Sequence, residues 1–274
     1  MTNFSPGLEV ALQKSETEKA GFLPPFLSRD ELDELLAAWS KMAQLPDVQW
    51  ENARFITDDR LYEEPAFAKL ATHSVVQEAA RRVIGDFYLA GYAVVATPRN
   101  GSTPTTPQDI SLHVDHCVYS DVAVPMARDT FVCVWINFEE LQMENGPFAL
   151  AAGTHHLNIG CEHFENETDK FAAVRAMGWG KCVRFNTGAA GSTAVYSGKT
   201  WHAGTVNASD VIRKGLNINF VPKNPLDTLR RNHFDVCRLS RERFELLAGL
   251  IGAPDYLITH DANFAASEKP KPYS

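Results

Sequence analysis

The stretch ISLHVDHCVY, residues 110–119, decides how the rest of the chain is read. It is a β-type run, and the two-residue period of a strand turns the side chains of His113 and Asp115 to the same face. To either side lie further short runs rich in β-branched and aromatic residues: FYLAGYAVVATP (87–98), TFVCVWINFEE (130–140), PFALAAGTH (147–155), GSTAVYSG (191–198) and GLNINFVP (215–222). Gly, Pro, Asn and Asp separate them, so the central part of the chain predicts a sandwich or barrel of short strands.

Outside this region the pattern changes to helix. Residues 29 to 43 carry Leu32, Leu35, Leu36 and Trp39 at helical spacing behind an N-cap at Ser28 or Asp30. A second helix is expected over 64–84, where Phe67, Leu70, Val75, Val76, Ala79 and Val83 recur on one side. A third is expected over about 240–252, before a polar tail, KPKPYS, read as disordered. The expectation is one domain over 1–274, mainly β with flanking helices: a helical part to about 85, a jelly-roll core over about 86–225 and a helical extension over about 226–274.

Composition narrows the function. The 274 residues are 45% hydrophobic and 22% charged, enough to bury a large core and unlike a disordered chain. The formal net charge is −8, with no long Lys/Arg run to neutralise phosphates, which disfavours a nucleic-acid partner. No apolar stretch approaches a membrane span and the opening MTNFSPGLEV does not read as a secretion signal, so a cytoplasmic protein without a membrane partner is expected. Cysteines 117, 133, 161, 182 and 237 are odd in number, widely spaced and without a CxxC, and read as free thiols.

Two imidazoles and one carboxylate on one face of an octahedron are a common ligand set for Fe(II) in oxygenases, leaving three positions for other ligands. His113 and Asp115 supply two of them. His202, in YSGKTWHAGTVN (196–207), comes late in the β-rich region, where a jelly roll can bring a distant strand against the first. An isolated HxD is weak evidence, since such pairs occur by chance in loops. Arg213, at the start of the next β-type run, adds weight because a guanidinium there can pair bidentately with a dicarboxylic cosubstrate. Its plainer reading is a surface ion pair with Asp210. A rival metal cluster of His155, His156 and His163 lacks a spacing that would converge three nitrogens. Tyr119, His116, Phe131 and Trp201, adjacent to the ligand-bearing runs, are candidates for shaping a substrate pocket.

The ordered motifs HVD (113–115), WINFEELQMENGPFALAAGTHH (135–156) and WHAGTVNASDVIR (201–213), with the opening GFLPPFLSRDELDELLAAW (21–39), resemble the phytanoyl-CoA dioxygenase family of Fe(II)/2-oxoglutarate oxygenases. The resemblance covers about residues 20–222. It implies a double-stranded β-helix, or cupin-like jelly roll, with His113, Asp115 and His202 holding iron. It further implies that Arg213 binds the distal carboxylate of 2-oxoglutarate and that Trp135 lines the cosubstrate pocket, against the plainer reading of Trp135 as a core aromatic. Asn145-Gly146 is read as a turn. HVD replaces the familiar HQD, and AAGTHH lacks the Pro of the family's turn.

Asp115 stands where related halogenases carry a small residue, which favours hydroxylation, or a desaturation or ring-forming variant, over halogenation, with O2 as co-reactant, ascorbate as an assay reductant, and succinate and CO2 as products. The expected partner is a small-molecule substrate, with no basic cluster for a CoA phosphate, and the chain is a monomer or homodimer. The alternative is a jelly-roll ligand-binding protein or a cupin-type isomerase using the same pocket without oxygen chemistry.

Overall fold

The computed structural model describes residues 4–45, 55–56, 61, 64–107, 110, 112–114, 132–157 and 182–222. Four helices come first: α1 (Pro6–Glu18), α2 (Arg29–Ala43), α3 (Pro65–Ala71) and α4 (Ser74–Ile84). The strands are β1 (Ala20–Leu23), β2 (Phe55–Ile56), β3 (Phe87–Thr97), β4 (Val132–Asn137), β5 (Ala149–Ala151), β6 (Val183–Phe185), β7 (Thr193–Ser197), β8 (His202–Ala203) and β9 (Arg213–Pro222).

Helix α2 has the predicted bounds, set by a capping box. The Ser28 hydroxyl accepts from the Glu31 amide at 3.3 Å, and the Glu31 carboxylate accepts from the Ser28 amide at 2.7 Å. The Ser28 hydroxyl also donates to that carboxylate at 2.7 Å, and the amide and hydroxyl donors together hold the Glu31 carboxyl below its ordinary value.

The expected single helix over 64–84 is instead two. Thr72 returns its hydroxyl to the Ala68 carbonyl at 3.0 Å, His73 takes a non-helical ψ of 135°, and its ring Nδ1 accepts from the Val75 amide at 3.2 Å. A histidine acting as N-cap restarts the helix where neither Pro nor Gly marks a break. Helix α1, which the sequence reading did not anticipate, is capped by Ser5 and ends at Lys19 in the left-handed region, φ 53°. The expected helix at 240–252 and the tail lie outside the described residues.

The strands form two antiparallel sheets. The larger runs β1-β7-β4-β9-β3-β2 and the smaller β6-β5-β8, extended by an isolated bridge between His113 and His202. One face of the large sheet presents Val132, Val134, Ile136, Val195, Leu216, Ile218 and Phe220 to α4 and its neighbours, forming the main core. Each large apolar side chain fully buried there contributes on the order of 2 kcal/mol. A one-residue irregularity between Leu89 and Gly91 lets Leu89 and Tyr92 both face that core despite their odd separation.

The opposite face looks at the small sheet across a layer of stacked rings: Trp135 on Phe148, and Phe148 on Tyr196 and His202. The result is a double-stranded β-helix with helices on the outside of its larger sheet, as the resemblance implied. No helix among the described residues is long and apolar enough to cross a membrane.

Candidate active site

Register pairing fixes which side chains look into the barrel. In the small sheet His113 pairs with His202, His202 with Leu150 and Leu150 with Arg184, so these four side chains form one inward-facing row. Their chain neighbours Leu112, Val114, Trp201, Ala203, Ala149, Ala151 and Val183 pack together on the other face. Trp201, expected as a candidate to shape the pocket, therefore belongs to the outer cluster and is 1% exposed, because strand alternation puts it opposite His202.

His113 and His202 exchange backbone hydrogen bonds of 2.9 Å in both directions, and their ring centroids lie 4.4 Å apart. His202 is buried against Tyr196, whose ring centroid is 4.3 Å away, while His113 is exposed. His202 Nδ1 lies 2.9 Å from the Thr200 carbonyl, a contact that requires the proton on Nδ1, the tautomer in which Nε2 carries the lone pair.

The turn bearing that carbonyl is held by three hydrogen bonds to two anchors, Lys19 O and the Thr154 hydroxyl. The Thr200 hydroxyl donates to Lys19 O at 2.9 Å, the Ser197 amide donates to the same carbonyl at 2.9 Å, and the Trp201 amide donates to the Thr154 hydroxyl at 2.9 Å. Thr154 in turn donates to Ala151 O at 2.6 Å. Sequence reasoning missed Thr154, Thr200, Tyr196 and Phe148 as parts of the site; only Thr154, inside the recognised GTHH turn, carried a signal.

Arg213 opens β9 opposite Thr97, the last residue of β3, is 5% exposed, and brings Nη2 to within 3.6 Å of where a Cβ on Gly204 would stand, two residues after His202. It donates to the Thr97 hydroxyl at 2.8 Å and to the Gly146 carbonyl, and its guanidinium carbon lies 5.5 Å from the centre of the Trp135 ring. The surface pair with Asp210 does not form; Asp210 pairs with Arg99 at 2.8 Å. Gly146 takes φ 70°, as the turn reading required, and a Cβ there would lie 2.6 Å from Thr205 O. Asn207, fully buried, donates to the carbonyls of Thr97 and Val211 at 2.9 and 2.7 Å and so ties together the strand ends flanking Arg213.

Trp135 is on the inner face, 3% exposed, with its indole N–H donating to Asn137 Oδ1 at 2.7 Å. It can wall a pocket and stack beside Arg213, but its N–H is already committed to the protein. Asp115, Tyr119, His116, Phe131 and His163 lie outside the described residues. His155 is buried in the 3-10 turn Thr154–Leu157. Among the described residues no three His, Cys, Asp or Glu side chains converge to hold a metal. The donor chemistry fits a metal all the same: two imidazoles side by side, one with its tautomer fixed, and a buried cation further along the same interior.

This architecture defines the class, a double-stranded β-helix enclosing a polar site of the kind built for small-ligand chemistry. The model of the phytanoyl-CoA dioxygenase (PhyH) family matches residues 18–215, and the chain belongs to that family of 2-oxoglutarate-dependent oxygenases. Comparison with curated protein sequences returns no match. Among solved structures, EctD from S. alaskensis with bound Fe is similar at TM-score 0.62 and 19% identity, over 81% of this chain and 79% of that one. The epimerase SnoN of nogalamycin biosynthesis, in complex with Fe3+, alpha ketoglutarate and nogalamycin RO, gives TM-score 0.58 and 20% identity over 78% and 83%. The carbocyclase SnoK of the same biosynthesis gives 0.58 and 17% over 80% and 85%. At these identities the likeness is one of fold.

Proposed function

We propose that the chain uses Fe(II), 2-oxoglutarate and O2 to hydroxylate an unactivated C–H bond of a small molecule, with His113, Asp115 and His202 as the iron ligands and Arg213 as the cosubstrate anchor. The observation that carries this reading is the paired His113 and His202, with Nδ1 of His202 committed to Thr200 O. Asp115 follows His113 at the spacing that turns two strand side chains to one face. Bound there, iron supplies the oxidising chemistry, coupled to conversion of 2-oxoglutarate to succinate and CO2.

The chain's own residues supply the rest. Arg213, buried beside Trp135, receives the carboxylate remote from the metal, where low exposure strengthens a charge-assisted pair. Phe148 and Tyr196 close the space behind His202 and keep water from it. Two of the similar structures are an epimerase and a carbocyclase, so the product itself must be identified.

The test measures succinate formed from 2-oxoglutarate with Fe(II), ascorbate and O2, in wild type and in His113→Ala, Asp115→Ala, His202→Ala and Arg213→Ala, followed by mass spectrometry of stimulating substrates. Loss of succinate in the three ligand variants and a gain of one oxygen in the product support the reading. A wild type that binds neither iron nor 2-oxoglutarate ends it in favour of a ligand-binding jelly roll.

A further inference from the structure

The inward row does not stop at the histidines. Beyond Leu150 it ends on Arg184, at the middle of the edge strand β6, two strands from His202. Two strand spacings amount to about 10 Å. Arg184 is exposed, its Nη1 donates to Val183 O at 2.9 Å, and no ion pair among the described residues includes it.

It borders a crevice of about 430 Å³ between the edges of the two sheets, where α1 and β1 of one side face β5 and β6 of the other. Phe22, Leu150 and Ala152 give the crevice an apolar lining; Lys14 and Glu18 also line it, paired with each other at 3.9 Å, which leaves Arg184 as the lining's unbalanced charge. Leu150 borders the crevice and pairs across the sheet with His202, so one side chain, 1% exposed, stands between the crevice and the histidine pair.

We infer that Arg184 is a specificity-determining residue that receives a carboxylate on the substrate, whose apolar body lies along Phe22 and Leu150 and whose far end reaches the histidines. This deepens the proposed function and rests on it for the identity of the reacting end. The spacing suits a carboxylate borne on a body about 10 Å long, roughly an extended eight-carbon acid. A cation on an inward row can form a directed pair with such a group, whereas an uncharged analogue leaves the guanidinium to water.

The experiment is calorimetric titration of the full chain, anaerobically with Fe(II) and 2-oxoglutarate, using three probes: octanoate, octanamide and inorganic phosphate. Octanoate is expected to bind about tenfold more tightly than octanamide, a margin within the range of a charge-assisted hydrogen bond. Phosphate, an anion without an apolar body, is expected to bind more weakly than octanoate. Arg184→Ala should reduce octanoate to the level of octanamide, and Arg184→Lys should restore part of the difference.

Equal binding of octanoate and octanamide, no binding of octanoate, a preference that survives Arg184→Ala, or phosphate as tight as octanoate would each overturn the assignment and leave Arg184 as a charge guarding an edge strand. The visible absorption of the iron and 2-oxoglutarate complex, read in the same samples, tests the oxygenase reading separately. Its absence from wild type would end that reading while the octanoate comparison still decides the role of Arg184.

Discussion

Thr154→Val tests whether the turn before His202 is what orients the imidazole. Thr154 is 1% exposed, and its hydroxyl makes two hydrogen bonds, donating to Ala151 O at 2.6 Å and accepting from the Trp201 amide at 2.9 Å. Valine has nearly the same shape, so no cavity opens, but the Trp201 amide loses its acceptor in a place where a buried unsatisfied donor costs about 1–3 kcal/mol. The extra buried methyl returns roughly 0.8 kcal/mol. The net loss is about 1 kcal/mol, which in a chain of this size lowers Tm by roughly 2 °C.

The second consequence is specific to the site. Trp201 adjoins the Thr200 carbonyl that receives His202 Nδ1, so relaxing the turn frees the imidazole to rotate. Loss of such an outer partner weakens metal binding on the order of tenfold or more. Urea unfolding reads the first effect and anaerobic Fe(II) titration the second. Thr154→Ser, which keeps the hydroxyl, should restore metal affinity. If Thr154→Val unfolds like wild type and binds Fe(II) equally well, the turn does not position His202.

Arg213→Lys should weaken 2-oxoglutarate binding by on the order of tenfold and Arg213→Ala by considerably more, because an ammonium keeps the charge but not the fork that meets a carboxylate; anaerobic titration of the cosubstrate measures both. Gly215→Ala places a Cβ 2.7 Å from Ile136 O and 2.8 Å from the Trp135 ring, so a loss of about 1–3 kcal/mol is expected in urea unfolding, with altered tryptophan fluorescence. His73→Ala should cost about 1 kcal/mol by removing the cap on α4. Burial pushes the His73 imidazole below its ordinary value, against a smaller opposing pull from Glu31. The unfolded chain therefore takes up the proton first: this contribution is full above about pH 6.5 and is lost as pH falls through the lower folded value. His73→Asn keeps a capping acceptor and should flatten that dependence, which chemical unfolding at several pH values would show.

The parts of the fold legible in the sequence were those with a local cause. Ser28 and Glu31 form a reciprocal cap that depends on no distant residue, and α2 begins where they place it. The β-type runs around 87–98, 130–140 and 215–222 announced themselves because apolar residues recur at every second position, as in Val132, Val134 and Ile136 or Leu216, Ile218 and Phe220, on the face covered by the helices. Helix α1 was not legible: within it only Leu8, Leu12 and Ser15 are buried, too few apolar positions to mark a stripe. The break at Thr72 and His73 escaped notice because histidine is not a usual cap and nothing else there resists a helix.

For the site, spacing alone suggested that His113 and Asp115 share a face, yet the decisive relation, His113 beside His202, is a pairing between segments far apart in the chain and comes from topology. Arg213 shows the same division. Its neighbour in sequence, Asp210, offered the obvious partner, and a local reading would have closed on that ion pair. The barrel instead sets Arg213 against Thr97 and Gly146, contributed by two other stretches, while Asp210 turns outward to Arg99. A cation buried on the inner face incurs a desolvation penalty that its neighbours, Thr97 and Gly146 among them, must offset. Under the proposed function a cosubstrate carboxylate would share in that offset, and the 2-oxoglutarate titrations of Arg213→Lys and Arg213→Ala measure its part.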